Sequence, residues 1–241
     1  MSEYVRTFNR FELKFLLHHA QVEELFGRIE PHVRADAHGD EAGSYRVTSL
    51  YFDSPDLSCY WEKIDGEKYR RKVRVRTYGA AAADAFVEIK QRYNLAVQKR
   101  RARVPLMQVR AAMTSIERGD FPEDADPVFG EVFNLSRRLQ LQPRIVVSYL
   151  RTALFDRYKK DLRITIDRNL RARHLDLDLE GRAGGVWFLP PTWMILEVKF
   201  NEVIPRWICT CLNSMDLQAS RLSKYCRAIE RFEMQLKTAV L

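Results

Sequence analysis

Lys68-Tyr69-Arg70-Arg71-Lys72-Val73-Arg74-Val75-Arg76 is the stretch on which the fold turns. Successive side chains of a β-strand point to opposite faces. Lys68, Arg70, Lys72, Arg74 and Arg76 therefore share one face. Five cations side by side repel one another, and an ordinary half-buried strand has no need of them. A polyanion lying along the face would relieve the repulsion.

The same alternation recurs in five other places. Residues 7–15 set Arg10, Glu12 and Lys14 against Phe11, Leu13 and Phe15. Residues 86–92 group Glu88, Lys90 and Arg92, and the run from Val97 to Val104 groups Lys99, Arg101 and Arg103. Residues 162–167 group Arg163, Thr165 and Asp167, and residues 195–200 group Glu197 and Lys199. Two further strands are expected at 47–52, broken by Asp53-Ser54-Pro55, and at 144–155. Tyr93-Asn94-Leu95 is expected to make a tight turn between two of the charged strands.

Helical spacing marks other segments. One is expected over 17–30, with Val22, Leu25, Phe26 and Ile29 as its stripe. Leu57 to Lys63 reads as a short helical turn. Pro105 suits the first turn of a helix over 105–118, and 128–140 is amphipathic. Pro205 opens another helix, and a last one is expected over about 219–236. Gly119 to Pro127 is acidic and turn-rich, and reads as a mobile loop.

Strands with charged faces and helices with apolar stripes imply an α+β protein built on an antiparallel sheet. About eight strands can close into a β-barrel around a narrow lumen. Here the barrel is expected to be inverted, with a charged tunnel inside and helices flanking an apolar outer face. The whole chain, 1–241, is expected to form that one domain. The plainer alternative is a set of solvated sheet faces whose Glu-x-Lys pairs are surface salt bridges, worth little. Repetition over six strands, with both signs of charge on the faces, favours the lumen.

Composition agrees with an anionic ligand. The 241 residues carry 40 basic and 32 acidic side chains, a net charge of +8, and 46% are hydrophobic, enough for a sizeable core. No basic-then-apolar leader is present, and no run approaches the roughly 18 apolar residues of a membrane span. A cytoplasmic protein without a transmembrane segment of its own is expected. Cys59, Cys209, Cys211 and Cys226 have poor zinc spacing and read as buried free thiols.

Nine short motifs together resemble the VTC domain, the polyphosphate polymerase domain of the vacuolar transporter chaperone complex. They are Arg-Phe-Glu-Leu-Lys (10–14), Leu-Tyr-Phe-Asp-Ser (50–54), Arg-Val-Arg-Thr-Tyr-Gly (74–79), Val-Glu-Ile-Lys (87–90) and Val-Ser-Tyr-Leu-Arg-Thr-Ala-Leu (147–154). Arg-Ile-Thr-Ile-Asp (163–167), Leu-Glu-Val-Lys (196–199), Pro-Arg-Trp-Ile (205–208) and Leu-Ser-Lys-Tyr (222–225) complete the series. That domain belongs to the triphosphate tunnel metalloenzyme superfamily, alongside the CYTH domains.

The resemblance implies a tunnel fold and roles for matching positions. Lys14, Arg74, Arg76, Lys90, Lys99, Arg151 and Lys224 are the implied catalytic and phosphate-binding cations, with Arg10, Arg157 and Ser223 as softer matches. Glu197 matches the metal-binding glutamate, with Glu12, Glu88 and Asp167 as second choices for a Mn²⁺ or Mg²⁺ ion. A one-residue slip in 99–103 would move its cations to the other face. The superfamily often opens Glu-x-Glu-x-Lys; here Arg10 replaces the first Glu, which leans toward polymerase over triphosphatase. The chain lacks the SPX domain and membrane segments of the eukaryotic complexes, so a stand-alone bacterial domain is expected, with a membrane-protein partner left open.

The implied activity is phosphotransferase: ATP donates its γ-phosphate to a growing polyphosphate chain. The alternatives are a tripolyphosphate or nucleoside triphosphate hydrolase of the same fold, and a non-catalytic polyanion-binding module. A nucleic-acid binder, with Tyr69, Tyr78 and Tyr93 as stacking platforms, is disfavoured by the acidic residues among the cations. His18, His19, His32, His38 and His174 fall on no expected tunnel face.

Overall fold

The structure is a computed structural model that describes residues 8–9, 11–79, 82–94, 96–118, 126–158, 161–179 and 184–239. In chain order its elements are β1 (Phe8–Asn9), β2 (Phe11–His18), α1 (Val22–Ile29), β3 (Val33–Ala35), β4 (Ser44–Asp53) and α2 (Ser58–Ile64). Then come β5 (Tyr69–Tyr78), β6 (Asp84–Tyr93), β7 (Ala96–Pro105), α3 (Val109–Arg118), α4 (Pro127–Leu139) and β8 (Gln142–Asp156). The chain finishes with β9 (Arg163–Arg173), β10 (Val186–Trp187), β11 (Trp193–Phe200), α5 (Arg206–Ser214) and α6 (Lys224–Ala239).

One antiparallel sheet runs β1-β7-β6-β5-β4-β8-β9-β11-β2, with β3 on β8 and β10 on β9. Its two ends are consecutive pieces of the same N-terminal segment. The sheet therefore curls until β1 pairs with β7 and β2 pairs with β11. Residues just before α6 reinforce this seam: Ala219 bridges to Phe15, and the Ser220 amide donates to the Lys14 carbonyl at 2.7 Å.

The apolar faces point outward, under helices. Val73, Val75, Val87, Ile89, Ala102 and Val104 from β5, β6 and β7 pack against Val109 of α3 and Val128, Val132 and Leu135 of α4. On the opposite wall, Phe15, Leu17, Ile164, Ile166, Leu196 and Val198 pack against Leu25 and Ile29 of α1 and Ile208, Cys211 and Leu212 of α5. Burial of these side chains drives the curl, at roughly 1.5–3 kcal/mol for each large one. Helix α6 lies inside. Its Tyr225, Cys226, Ala228 and Ile229 join Val47, Ile145, Val147, Leu170 and Ile195 on the inner face. One part of the lumen is thus filled by a helix, and the rest is charged.

Several expectations change in detail. The strand at the N-terminus runs on to His18, because Trp193 and Met194 of β11 pair with His18 and Leu17; the helix begins only at Val22. Pro105 ends β7 instead of opening a helix, as its pairing with Asp84 keeps it extended. The basic strand starts at Tyr69, leaving Lys68 exposed outside it. The last helix starts at Lys224, since residues 219–220 are bound to β2 in extended form. β9 reaches Arg173, well beyond Asp167, and β3 and β10 have too few residues for a periodic signal. Asn94 adopts the left-handed conformation, φ 52°, at the tight turn; Leu95 and residues 119–125 of the acidic loop lie outside the described residues. All four cysteines are free thiols, though Cys209 is only half-buried.

Candidate functional site

Charged side chains from seven strands, β2, β5, β6, β7, β8, β9 and β11, and from the first residue of α6 meet in the lumen. Lys90 lies opposite both Lys72 of β5 and Lys99 of β7, and Arg74 lies opposite Glu88. Glu197 lies between Lys14 and Thr165. This register settles the 99–103 run: Lys99 and Arg101 face the lumen, while Arg100 turns outward to Glu131 of α4. Charged side chains can be buried here because carboxylates answer most of them.

Glu197 is the hub. It is 5% exposed and receives Lys224 at 2.6 Å, Arg151 at 3.3 Å and Lys14 at 3.7 Å, together with Lys199. Asp167, fully buried, accepts a two-pronged pair of bonds from Arg151 at 2.7 and 2.8 Å and an ion pair from Lys224 at 2.6 Å. Glu12 receives Lys90 at 2.8 Å and Lys14 at 3.0 Å. Glu88, fully buried, receives Arg74 at 2.7 Å and also Lys99. The cations Lys14, Arg74, Arg76, Lys90, Lys99, Arg151, Lys199 and Lys224 outnumber these carboxylates two to one.

Arg76 differs from the others. It is 5% exposed, yet its guanidinium bonds to hydroxyls: Nε donates to Ser49 Oγ at 2.8 Å and one terminal nitrogen donates to Tyr149 Oη at 3.1 Å. Arg74 likewise donates to Tyr51 Oη at 3.1 Å. No carboxylate lies within ion-pair distance of Arg76 among the described residues. A buried charge without a counter-ion is costly, so this is where the lumen is electrostatically incomplete.

The ionisation of the neighbours reflects that positive excess. Burial opposes ionisation of Glu197, but Lys199, Lys224, Lys14 and Arg151 outweigh it and hold the carboxyl well below its usual range. Glu12 is held low in the same way by Lys14 and Lys90, against its burial. Burial pushes Lys199 down to about 7 despite Glu197. Burial raises Tyr51 and Tyr78, yet Arg74 and Arg76 at Tyr51, and Lys99 and Arg76 at Tyr78, bring each down to about 8.

Most of the anticipated residues converge. Lys14, Arg74, Arg76, Lys90, Lys99, Arg151, Lys224, Glu12, Glu88, Asp167 and Glu197 all stand in this lumen. Ser223 sits at its edge, accepting from Lys72 Nζ at 3.3 Å. Arg157 does not join: it is exposed beyond the end of β8, with its backbone amide tied to the His32 carbonyl at 2.9 Å. Arg10 lies outside the described residues. Lys199, Ser49, Tyr51, Tyr149 and Thr165 are the additions. Lys199 shares the face of Glu197 and was findable by period two; the tyrosines sit in apolar-looking strands that gave no such signal. The histidines are elsewhere, against Trp193, Trp207, Asp36 and Phe232.

No helix among the described residues is long and apolar enough to cross a membrane. No match is found among the curated proteins. Two solved structures are similar to the whole chain in fold. One is a Bacillus halodurans protein named as a candidate adenylate cyclase, 14% identical, covering 91% of this chain and 96% of its own, with a TM-score of 0.53. The other is a Hippeastrum protein named as a candidate adenylyl cyclase with a dominant triphosphatase activity, 11% identical, covering 92% and 93%, with a TM-score of 0.50. Such identities speak for the fold alone. The model of the VTC domain matches residues 9–233, and the chain belongs to the VTC domain family.

Proposed function

We propose that this protein is a phosphotransferase that holds the triphosphate of ATP in its lumen and transfers the γ-phosphoryl group to the end of a polyphosphate chain. The observation that carries the reading is Arg76, a buried guanidinium bonded to hydroxyls and without a carboxylate in ion-pair reach among the described residues, beside a lumen with a twofold excess of cations. Arginine's planar fork suits phosphate oxygens. Arg74, Arg76 and Arg151 would clamp the phosphates, with Lys14, Lys90, Lys99 and Lys224 as point charges around them.

Phosphoryl transfer asks the protein for position and charge neutralisation more than for covalent help. A terminal oxygen of the polyphosphate attacks the γ-phosphorus, the bond to the bridging β–γ oxygen breaks, and ADP leaves. The attacking oxygen is already anionic, so no general base is needed, in keeping with histidines that all lie outside the lumen.

The carboxylates fit a hard divalent ion. Glu12 and Glu197 share Lys14, at 3.0 and 3.7 Å, so two oxygen-donor groups lie close together without a cysteine or histidine. Among the described residues no group of three or more metal-ligating side chains is gathered. Mg²⁺ or Mn²⁺ held by one or two carboxylates completes its shell with phosphate oxygens and water. Glu197 and Glu12 would hold it, where it would neutralise charge on the transferred phosphate. Glu88 and Asp167 are better suited to orienting Arg74, Lys99 and Arg151.

Hydrolysis by the same lumen is the second reading, in line with the triphosphatase activity named for the Hippeastrum protein of similar fold. Incubation of the purified protein with ATP and Mn²⁺, followed by a gel stained for polyphosphate, separates the two. A ladder of long chains is expected. Free phosphate without a ladder would overturn the polymerase and leave the hydrolase.

A further inference from the structure

Asp53 is a buried carboxylate that stands apart from the charged lumen. It ends β4, is fully buried, and has no lysine or arginine within ion-pair distance among the described residues. A buried charge without a counter-ion is tolerated only where hydrogen bonds answer it. Asp53 finds them in the first turn of α2. Its Oδ1 accepts from the Ser54 and Cys59 amides, each at 2.8 Å, and its Oδ2 accepts from the Tyr60 amide at 3.0 Å. Ser54 Oγ accepts from the Ser58 amide at 2.8 Å. Leu57, at the N-cap position, has a left-handed backbone and no polar side chain. Asp53 and Ser54 therefore do the capping that the N-cap residue ordinarily does.

One further donor comes from a distant element. Tyr225 of α6 donates its hydroxyl to Asp53 Oδ2. Tyr225 is 2% exposed, and burial together with Asp53 pushes its phenol well above the ordinary range, so it stays a donor. Its ring lies 5.3 Å from that of Tyr51, and Lys72 Nζ stands 4.6 Å from its centroid. Cys226, Ala228 and Ile229 also pack α6 into the inner face. Hydrophobic contact is non-directional and permits small slides and rotations. The bond to Asp53 is directional, and it reaches a carboxylate that α2 holds in place.

Lys224 comes just before Tyr225 and depends on such precision. Its ammonium lies 2.6 Å from Asp167 and 2.6 Å from Glu197 at once, and 5.1 Å from the centroid of the Tyr149 ring. Consecutive residues of a helix point about 100° apart. Lys224 thus reaches β9 and β11 while Tyr225 reaches the end of β4, and the start of α6 is held from two sides.

We propose that Asp53 is a positioning residue: through Tyr225 it sets the depth and rotation of the first turn of α6, and so the place of the Lys224 ammonium in the lumen. The inference rests on the reading of the lumen as a triphosphate site with Lys224 among its cations. It gives the turn between β4 and α2, which carries none of those cations, a part in the site.

A double-mutant cycle, read by calorimetric titration of the full chain with tripolyphosphate, tests it. Tyr225→Phe removes one hydroxyl and keeps the ring. In the otherwise wild-type chain it should weaken tripolyphosphate binding about tenfold. In a Lys224→Met background no ammonium is left to place, and Tyr225→Phe should cost nothing further. Asp53→Asn reaches the same contact from the other side and should give the same pattern; it supplies the cycle should Tyr225→Phe not melt cooperatively. Equal losses in both backgrounds, or no loss in either, would reduce Asp53 and Tyr225 to a structural role and overturn the proposal. The loss from Lys224→Met alone would then leave the triphosphate site standing. Wild-type binding that Lys224→Met leaves unchanged would remove Lys224 from the ligands, and the proposal with it. Failure of wild type to bind tripolyphosphate would overturn this inference and the lumen reading together.

Discussion

The lumen has two walls that solve the problem of buried charge differently. On β2, β9 and β11, Glu12, Asp167 and Glu197 tie up Lys14, Lys90, Arg151, Lys199 and Lys224 in close pairs. On β4, β5 and β8, Arg76 leans on Ser49 and Tyr149, and Arg74 shares Glu88 with Lys99 while also reaching Tyr51. On the first wall, every one of these five cations has a carboxylate partner without a ligand, though three carboxylates serve all five. The second holds a cation that only an incoming anion can match. A carboxylate-bearing wall suits a metal ion and a hydroxyl-bearing wall suits bare phosphate, so under the proposed function the asymmetry would give a triphosphate a direction.

Substitution at Glu197 should show the largest effect. Glu197→Gln is expected to cut the steady-state rate about a hundredfold or more, since it removes the proposed metal carboxylate. It also leaves Lys199, Lys224 and Arg151 less compensated, and breaking a buried pair from one side costs about 3 kcal/mol, readable in urea denaturation. An unaffected rate would remove Glu197 from the chemistry. Glu88→Gln should cost similar stability, because Arg74 and Lys99 lose their shared partner. Its rate should fall only about tenfold if Glu88 acts through those cations; a loss equal to that of Glu197→Gln would make the walls equivalent.

A smaller effect is expected from pH. Tyr51 and Tyr78, at about 8, ionise below the ordinary value of 10. A lowered pKa in the folded state means their contribution to stability is complete above pH 10 and is lost as pH falls through 8. Bound phosphate would oppose tyrosinate, so affinity for tripolyphosphate should weaken as pH rises above about 8. Tyrosinate absorbance during a pH titration should show these groups ionising early without ligand and later with it. The same curve in both conditions would separate the tyrosines from the site. Least affected should be Arg157→Ala, which changes an exposed side chain outside the lumen: stability within about 0.5 kcal/mol and unchanged ligand affinity.

The paired wall was the more legible in sequence. Glu12/Lys14 and Glu197/Lys199 each announce themselves by period two within one strand, and each forms an ion pair within that strand. Glu88/Lys90 has the same spacing but no such bond: Glu88 turns to Arg74 and Lys99, and Lys90 to Glu12. Spacing within a strand reports the face and is silent about the cross-strand partner. The hydroxyl wall was harder still. Tyr51 and Tyr149 lie in strands without a regular alternation of charged and apolar residues, so nothing marks their hydroxyls as ligands of Arg74 and Arg76. Lys224 was visible in the Leu-Ser-Lys-Tyr motif, but its contacts with Asp167 and Glu197 follow from α6 entering the barrel, which amphipathic periodicity does not disclose.

The melting temperatures of wild type and Arg76→Met, each with and without tripolyphosphate, test the incomplete wall most directly. Methionine keeps much of the volume and removes a buried charge that lacks a carboxylate. Without ligand, Arg76→Met should melt at or above the wild-type temperature. With tripolyphosphate, wild type should gain several degrees and Arg76→Met little or none. An Arg76→Met protein that melts lower than wild type and gains as much from tripolyphosphate would contradict the account: Arg76 would then be a structural cation, and the anion would bind elsewhere.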